Sequence, residues 1–276
     1  MTIIKKLGEG KFSEVYLSCD KKTSFLFALK KIKKETINQY NITQDIIKEI
    51  KSQTLLEHPN LIKLYGFFAD EEAIYLIQEL GHGKELFADL KSQPNKRFKE
   101  PITANFIRQI IQALIYMHQK KFIHRDIKLE NIMLTNGVLK LCDFGYTTAF
   151  QEDQMRKTFC GTLDYASPEM VEGKEYDNSV DAWSIGILTY ELIFGQAPFT
   201  DKNDMEKTFL NIVKNEIDFP GLISFEGVDF IKKLLVKKPQ ERMTLNDALQ
   251  HPFIQSGMTS RQNQSELEFS DMQLLN

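Results

Sequence analysis

One run of eight residues, His124 to Asn131 (HRDIKLEN), limits what this chain can fold into more than any other segment. It places Asp126, Lys128 and Asn131 at fixed intervals, and the triplet Asp143-Phe144-Gly145 begins twelve residues after Asn131. Any one of these residues alone would be an ordinary polar group in a loop. Together, and in this order, they predict a site for phosphate groups and divalent metal ions.

The residue types match the needs of phosphoryl transfer. Asp126 would accept or orient the proton of a substrate hydroxyl, and Lys128 would neutralise charge on the moving phosphoryl group. Asn131 and Asp143 would hold Mg²⁺ ions that bridge the phosphates. The predicted catalytic residues are therefore Asp126, Lys128 and Asn131, and the predicted metal ligands are Asn131 and Asp143.

A glycine-rich segment, Gly8 to Val15 (GEGKFSEV), lies between two predicted strands. Glycine lets backbone N–H groups approach phosphate oxygens closely. A dinucleotide-binding fold would place a helix after such a loop, but residues 15–17 have the pattern of a strand, and a Walker A lysine-serine pair is absent. Lys30 follows on the next strand and Glu49 on the next helix. Lys30 would contact the α- and β-phosphates with Glu49 orienting it, so Lys30 joins the catalytic set.

Hydrophobic periodicity divides the chain into a strand-rich first third and a helical remainder. Its 276 residues are enough for one large domain or two lobes that share a cleft. We predict an α+β, bilobal fold, with a small lobe at residues 1–78, a hinge at 79–83, a larger helical lobe at 84–254 and a polar tail at 255–276. Strands are predicted at 2–7, 14–19, 25–32, 61–68 and 73–79, and helices at 43–57, 103–120, 178–195, 204–214, 225–236 and 244–250.

The helix predicted at 43–57 carries two polar residues on its apolar stripe. Ile46, Ile50 and Thr54 define that stripe, and Glu49 and Gln53, four residues apart, share much of it. Burial of a charged or amide group is unfavourable without a partner, so both side chains are expected to have one.

Composition excludes several classes of function. A net charge of −3 argues against a nucleic-acid binder that relies on bulk charge. The three cysteines have no spacing typical of a zinc site or a disulfide framework, which fits an intracellular setting. No signal peptide is evident, and the most apolar stretch, 182–194, contains Glu191 and is too short to span a bilayer. No nucleic-acid or membrane partner is therefore expected.

These motifs together resemble the eukaryotic protein kinase superfamily over about residues 3 to 254. The resemblance implies the bilobal protein kinase fold, with ATP between the lobes and Mg²⁺ as its metal. It also implies that Glu169, in Ser167-Pro168-Glu169, pairs with Arg242, and that Asp181-Ala182-Trp183 is the buried helix anchor of the large lobe. The ATP-binding residues that the resemblance implies are Gly8, Glu9, Gly10, Lys11, Val15, Ala28, Lys30, Glu49, Gln78, Glu79, Gly81, Glu85, Met133 and Asp143.

Finer motifs resemble one branch of that superfamily. Lys128 resembles the serine/threonine class, and Thr162 resembles the threonine that supports the catalytic aspartate there. Gln53 resembles the Aurora family of mitotic kinases, which have glutamine at this helix position. The same resemblance extends to three runs: Leu64 to Phe68, Cys160 to Tyr165, and Pro168 to Met170.

The chain also departs from the Aurora pattern. Gln78 occupies the gatekeeper position, where Auroras have leucine, and Leu129 replaces the usual proline of the catalytic loop. Tyr146 replaces the tryptophan that follows Asp-Phe-Gly, Ser13 replaces the third loop glycine, and Ala69 replaces a histidine on the face where an Aurora activator docks. A divergent Aurora-like kinase is therefore expected.

The resemblance also implies regulatory and substrate-binding residues. Thr158 aligns with the Aurora activating phosphosite, and a phosphate there would pair with Arg125. Glu85, Glu130, Glu191 and Thr162 lie where basophilic kinases recognise substrates, so Arg or Lys upstream of the target Ser/Thr is expected. The alternative interpretations are an unmodified hydroxyl for Thr158 and a buried acid with a local partner for Glu191.

The expected function is ATP-dependent Ser/Thr phosphorylation of protein substrates during cell division. The expected protein is a monomer in the cytoplasm or nucleus, associated with the spindle and open to an activator protein on the small lobe. The alternatives are a pseudokinase that binds ATP without turnover, a polo-like or calcium/calmodulin-type kinase, and a small-molecule kinase. Pseudokinases usually lose the phosphate-binding lysine, the catalytic aspartate or the metal aspartate, and all three are present here.

Overall fold

Two regions of different secondary structure make up the described part of the chain, which in the computed structural model comprises residues 1–10, 12–81, 83–149, 161–214 and 216–257. A strand-rich small lobe comes first and a mainly helical large lobe follows. The predicted α+β, two-lobe architecture is confirmed. Residues 258–276, most of the predicted tail, lie outside the described ranges.

The small lobe is built on a five-stranded antiparallel sheet. Its strands are β1 (Thr2–Glu9), β2 (Glu14–Cys19), β3 (Leu26–Lys33), β4 (Leu64–Ala69) and β5 (Ala73–Gln78), and its helices are α1 (Lys34–Tyr40) and α2 (Thr43–Leu55). The strands lie in the order β1-β2-β3-β5-β4. Ile46 of α2 packs against Ile32, Leu64 and Leu76 of the sheet. This apolar contact holds α2 on one face of the sheet.

The large lobe is organised around two long helices that pack against each other. Its helices are α3 (Leu86–Ser92), α4 (Glu100–Gln119), α5 (Pro168–Val171), α6 (Ser179–Phe194), α7 (Met205–Lys214), α8 (Phe225–Leu234) and α9 (Leu245–Gln250), and its short strands are β6 (Lys84–Glu85), β7 (Phe122–Ile123), β8 (Ile132–Thr135), β9 (Val138–Leu141) and β10 (Thr148–Ala149). The central pair is α4 and α6. Trp183, Ile187 and Leu192 of α6 are fully buried, so the predicted buried helix is confirmed. Nothing in the described ranges combines the length and hydropathy of a helix that crosses a membrane.

Buried amide groups connect the segment between α2 and β4 to the large lobe. Asn60 donates to Oε1 of Gln109 on α4 at 3.0 Å and to the carbonyl oxygen of Leu139 at 2.7 Å. Gln109 Oε1 also accepts the N–H of Leu139 at 2.9 Å. At the predicted hinge, Glu79 Oε1 lies 2.8 Å from Nζ of Lys140 on β9. These contacts set the sheet over the large lobe and so define a cleft between them.

The predicted elements agree with the structure in kind and differ at their ends. Helix α2 begins at Thr43 as predicted and ends at Leu55, two residues before the predicted end. Helix α1 was not predicted, because Ile37 is its one buried side chain and its sequence therefore has no apolar stripe. Strands β6, β7 and β10 have two residues each, too few for an alternating pattern.

Candidate active site

One buried carboxylate holds the loop between β7 and β8. Asp181, on α6, accepts the backbone N–H of His124 at 3.1 Å and of Arg125 at 3.0 Å. Its Oδ2 also lies 2.8 Å from Nε2 of His118 on α4. Burial opposes the charge of Asp181, but the hydrogen bond and charge of His118 bring its pKa below the ordinary value. Asp181, the first residue of the predicted helix anchor, thus also holds the backbone at the start of the His124–Asn131 run.

Three side chains surround the carboxylate of Asp126, which is 4% exposed. Lys128 Nζ lies 3.0 Å from Oδ2, and Asn131 Nδ2 donates to the same oxygen at 2.8 Å. Thr162 Oγ1 donates to Oδ1 at 3.3 Å and accepts from Lys128 Nζ at 2.9 Å. The structure therefore brings Asp126, Lys128, Asn131 and Thr162 into one hydrogen-bonded group.

Gly161 makes the approach of Thr162 to Asp126 sterically feasible. Its φ is +86°, and a Cβ there would lie 2.7 Å from the carbonyl oxygen of Arg125 and 3.1 Å from Asp126 Oδ1. A side chain would clash with that backbone and strain the φ angle, so glycine is required at this position.

Lys30 connects the sheet, α2 and the Asp143 segment through two carboxylates. Its Nζ lies 2.6 Å from Glu49 Oε1 and 3.6 Å from Asp143 Oδ1. Burial opposes the charge of Lys30, but Glu49 and Asp143 together raise its pKa above the ordinary value. The Lys30 ammonium in turn lowers the pKa of Asp143. Lys30 and Asp143 are therefore both charged at neutral pH, as a site for phosphate and metal requires.

Two residues of the site have left-handed backbone although neither is glycine. Arg125 has φ +70° and Asp143 has φ +62°, a conformation that costs about 1–3 kcal/mol per residue. The fully buried ring of Phe144 packs against His124, with 5.6 Å between ring centroids. Phe144 is held in the core by its contact with His124. This packing keeps the adjacent Asp143 on the side of the cleft where Lys30 lies.

The glycine-rich segment forms the hairpin turn between β1 and β2. Gly8 pairs with Val15, and Val15 pairs with Lys30 on β3, so the turn lies beside the Lys30 side of the cleft. Glu9 is exposed and its Oε2 lies 2.7 Å from Nζ of Lys6. Lys11, also predicted to bind ATP, lies outside the described residues.

Several residues predicted to bind ATP come together from different elements near the predicted hinge. Ala28 pairs with Gln78 across β3 and β5, and Glu85 pairs with Met133 across β6 and β8. A Cβ on Gly81 would lie 3.2 Å from Met133 Cγ, so the hinge and β8 approach closely there.

Both polar residues on the apolar stripe of α2 have partners. Glu49 has Lys30, and Gln53 Oε1 accepts from Nε2 of Gln78 at 2.9 Å. The prediction that these two side chains need partners is confirmed. The identity of the second partner was not predicted, because it depends on the register of β5 against α2.

Asn131 and Asp143 offer oxygen atoms that suit a magnesium ion. Asn131 uses its Nδ2 to donate to the Asp126 carbonyl and carboxylate, so its Oδ1 is the atom available to a metal. In the described ranges no cluster of three or more His, Cys, Asp or Glu side chains could hold a metal alone. Two hard oxygen ligands fit Mg²⁺, which completes its shell with phosphate and water oxygens.

Glu191 has the local partner that the alternative interpretation requires. The hydroxyl of Tyr165 donates to Glu191 Oε2, and it also accepts the N–H of Leu129 at 3.4 Å, a bond that proline at position 129 could not make. Burial raises the pKa of Glu191, the Tyr165 hydrogen bond opposes that shift, and the nearby exposed Glu130 adds to it. A substrate-binding role for Glu191 stays a prediction.

Arg125 already has two partners in the structure. Its Nε donates to the carbonyl oxygen of Tyr146 at 2.8 Å, and its Nη1 donates to the hydroxyl of Tyr176 at 3.0 Å. Thr158 lies outside the described residues, so the pairing of Arg125 with a phosphate on Thr158 stays a prediction.

The predicted ion pair between Glu169 and Arg242 is present. Nη1 and Nη2 of Arg242 bind the two carboxylate oxygens at 2.8 and 3.0 Å, and the arginine side chain has no exposed surface. Nη1 also donates to the carbonyl of Ser179 at 2.9 Å. This bidentate geometry is the strong form of such a pair.

The functional groups of the cleft are distributed between the two lobes as they are in protein kinases. A lysine for phosphate oxygens belongs to the sheet, and a proton acceptor with two metal-facing oxygens belongs to the helical lobe. The fold and the site together define a phosphotransferase of that class.

Comparison with known proteins leads to the same class and refines it. A family model described as protein kinase domain matches residues 1–254. Over 251 residues, 91% of this chain, the sequence is 43% identical to an Aurora kinase of Candida glabrata, 44% to one of Schizosaccharomyces pombe and 43% to one of Saccharomyces cerevisiae. The matched regions cover 69%, 70% and 68% of those proteins. The chain belongs to the protein kinase family, and within it to the Aurora kinases. Members of the protein kinase family generally use ATP and Mg²⁺.

Sequence reasoning missed residues that support the site without touching the reacting atoms. Tyr165 belongs to a run that carried the family resemblance, but its bonds to Leu129 and Glu191 depend on tertiary folding. Lys140, the partner of Glu79, has no sequence signal at all. His118 lies on α4, where its contact with Asp181 depends on how α4 meets α6.

Proposed function

We propose that this protein is an ATP-dependent protein kinase of the Aurora type, which transfers the γ-phosphate of ATP to serine or threonine side chains of proteins. The observation that carries the proposal is the group formed by Asp126, Lys128, Asn131 and Thr162. The same cleft contains Lys30, paired with Glu49 and close to Asp143.

In the proposed reaction, the substrate hydroxyl oxygen attacks the γ-phosphorus while the bond to the ADP oxygen breaks. Asp126 accepts or orients the hydroxyl proton, and Lys128 neutralises charge on the transferred group. Lys30 binds the α- and β-phosphates and is oriented by Glu49. Asn131 and Asp143 would hold Mg²⁺, which supplies positive charge at the phosphate oxygens when bound.

An array of peptides with serine, threonine or tyrosine acceptors tests the substrate class. With labelled ATP and Mg²⁺, we expect incorporation into serine and threonine peptides that have Arg or Lys upstream, because Glu85, Glu130 and Glu191 supply negative charge. Tyrosine peptides should stay unlabelled. Labelling confined to tyrosine, or without any basic preference, would contradict the proposal.

The proposed regulation is autophosphorylation of Thr158, since Arg156 supplies a basic residue upstream. A phosphate there adds roughly −1.5 to −2 charges and would order the segment through Arg125. We expect Thr158→Ala to lower activity, and phosphatase treatment of the autophosphorylated native chain to do the same. Unchanged activity in Thr158→Ala would contradict this regulation.

The Aurora resemblance also supports a role in cell division, as a monomer in the cytoplasm or nucleus and on the spindle, with an activator protein on the small lobe. Imaging of the tagged protein through division tests the setting. A cellular distribution that does not follow the spindle through division would contradict the proposed setting.

A further inference from the structure

Two glutamine side chains meet between β5 and α2, behind the nucleotide cleft. Gln78 Nε2 donates to Gln53 Oε1 at 2.9 Å. Gln53 is 2% exposed and Gln78 is 9% exposed, so the bond is shielded from water. Gln53 Nε2 has no partner within the described part of the chain, so Gln78 is the partner that the structure gives this side chain.

The amide pair lies on the same face of α2 as the Lys30–Glu49 ion pair. Gln53 follows Glu49 by four residues, roughly one turn and about 6 Å along the helix axis. Glu49 is bound to β3 through Lys30, and Gln53 is bound to β5 through Gln78. Strands β3 and β5 are paired, with Lys30 opposite Leu76. Helix α2 is therefore attached to one sheet at two directional contacts.

Two directional contacts fix the rotation of α2 about its own axis, which apolar packing alone does not. The packing of Ile46 against Ile32, Leu64 and Leu76 is non-directional. Any rotation that withdraws Glu49 from Lys30 would also separate the two buried amides. Each would then lack a partner in a place that water does not reach, which is unfavourable.

We propose that Gln53 and Gln78 are positioning residues that hold Glu49 against Lys30. The inference rests on the proposed kinase function, in which Lys30 binds the phosphates of ATP.

The test measures kcat and the KM values for ATP and for peptide in the full chain. The substitution Gln53→Leu is made both in the native background and in the Glu49→Gln variant. Gln53 is the site of change because Gln78 is itself predicted to bind ATP. We expect Gln53→Leu to lower kcat/KM for ATP about 10-fold in the native background. In the Glu49→Gln variant the same substitution should change kcat/KM for ATP less than about twofold. Gln53 acts on Lys30 through the carboxylate of Glu49, which that variant already lacks.

The kinetic parameters separate positioning from simple loss of folded protein. Misplacement of Lys30 should raise the KM for ATP about threefold and leave the KM for peptide unchanged. Partial unfolding would lower the apparent kcat and leave both KM values unchanged. A matched control is Asn105→Leu, which removes a buried amide on α4 whose partner is Arg108 of the same helix, and it should leave the KM for ATP unchanged.

If Gln53→Leu does not fold, Gln53→Met replaces it in the same comparison, because the flexible methionine side chain fills the space of glutamine without its amide. A native chain without phosphotransferase activity overturns the proposed function. An active native chain whose Gln53 variant is unchanged, or is equally impaired in both backgrounds, overturns this inference alone.

Discussion

The hydroxyl of Thr162 is a single group that joins two others in the site, since it donates to Asp126 and accepts from Lys128. Thr162→Val removes both hydrogen bonds and keeps the shape of the side chain. We expect kcat/KM for a serine peptide to fall about 10-fold, because Asp126 and Lys128 lose a shared partner.

Thr162→Ser is the matched control because it keeps the hydroxyl, and it should stay within about twofold of the native kcat/KM. Steady-state kinetics with one serine peptide compare the three proteins. A valine variant as active as the native chain would show that this hydroxyl does not support Asp126.

His124 gives the folded state a sensitivity to acid. Burial lowers its pKa from the ordinary value of 6.5, so the folded chain resists protonation there. The unfolded chain takes up that proton as the pH falls through about 6.5, so this residue's contribution to the free energy of unfolding declines below that pH. His124→Asn keeps an acceptor for the N–H of Asp126 and removes the titration.

We expect the free energy of unfolding to fall less between pH 7 and pH 5.5 in His124→Asn than in the native chain. Urea unfolding at each pH, followed by the fluorescence of Trp183, measures this. His58→Asn is the comparison, since burial also lowers the pKa of His58, but that residue is only partly buried and its effect should be smaller. If the free energy of unfolding has the same pH dependence in His124→Asn and in the native chain, the acid sensitivity does not come from His124.

The roles of individual residues were predictable where the chemistry dictates both type and spacing. Asp126, Lys128 and Asn131 share one short loop, so their convergence follows from local sequence. The Gln53–Gln78 bond joins residues 25 apart and depends on how β5 lies against α2. Such partners become visible only when the tertiary structure fixes which faces meet.

At the scale of secondary-structure elements, the pair between Glu169 and Arg242 connects α5 to the segment before α9. Glu169→Ala would leave the buried guanidinium of Arg242 without its counter-charge. We expect a loss of about 3–5 kcal/mol in the free energy of unfolding of the large lobe. Trp183 fluorescence during urea unfolding reports it directly, because Arg242 lies 5.2 Å from the Trp183 ring centroid.

Glu241→Ala is the matched control for that loss. Glu241 pairs with Lys238 at 2.7 Å, but both side chains are exposed, and such a pair contributes about 0–1 kcal/mol. Equal losses in the two variants would contradict the view that burial makes the Glu169 pair important.

Elements were predictable where burial imposes a period on the sequence. The buried stripe in α2 predicted where that helix begins. Helix α1 and the two-residue strands have too few buried positions to produce a pattern. Their existence depends on neighbouring elements and not on their own residues.

At the scale of the whole molecule, the proposed reaction needs both lobes. Lys30 and Glu49 belong to the small lobe, and Asp126, Asn131 and Asp143 follow in the large one. Lys30 and Asp143 lie 3.6 Å apart across the cleft, so the two halves of the site are already assembled in this structure. An enzyme that turns ATP over is expected from this arrangement.

Transfer of labelled γ-phosphate to a basic protein, measured side by side with binding of Mg²⁺-ATP, tests that claim most directly. The native chain should transfer phosphate, and Asp126→Asn should be slower by about 10²- to 10⁴-fold because it removes the proton acceptor. It should bind the nucleotide as well as before, because Lys30 and Asp143 are bonded to each other and Asn131 keeps its bond to the backbone carbonyl of residue 126. A native chain that binds Mg²⁺-ATP without transferring phosphate, or an Asp126→Asn variant as fast as the native chain, would contradict the account.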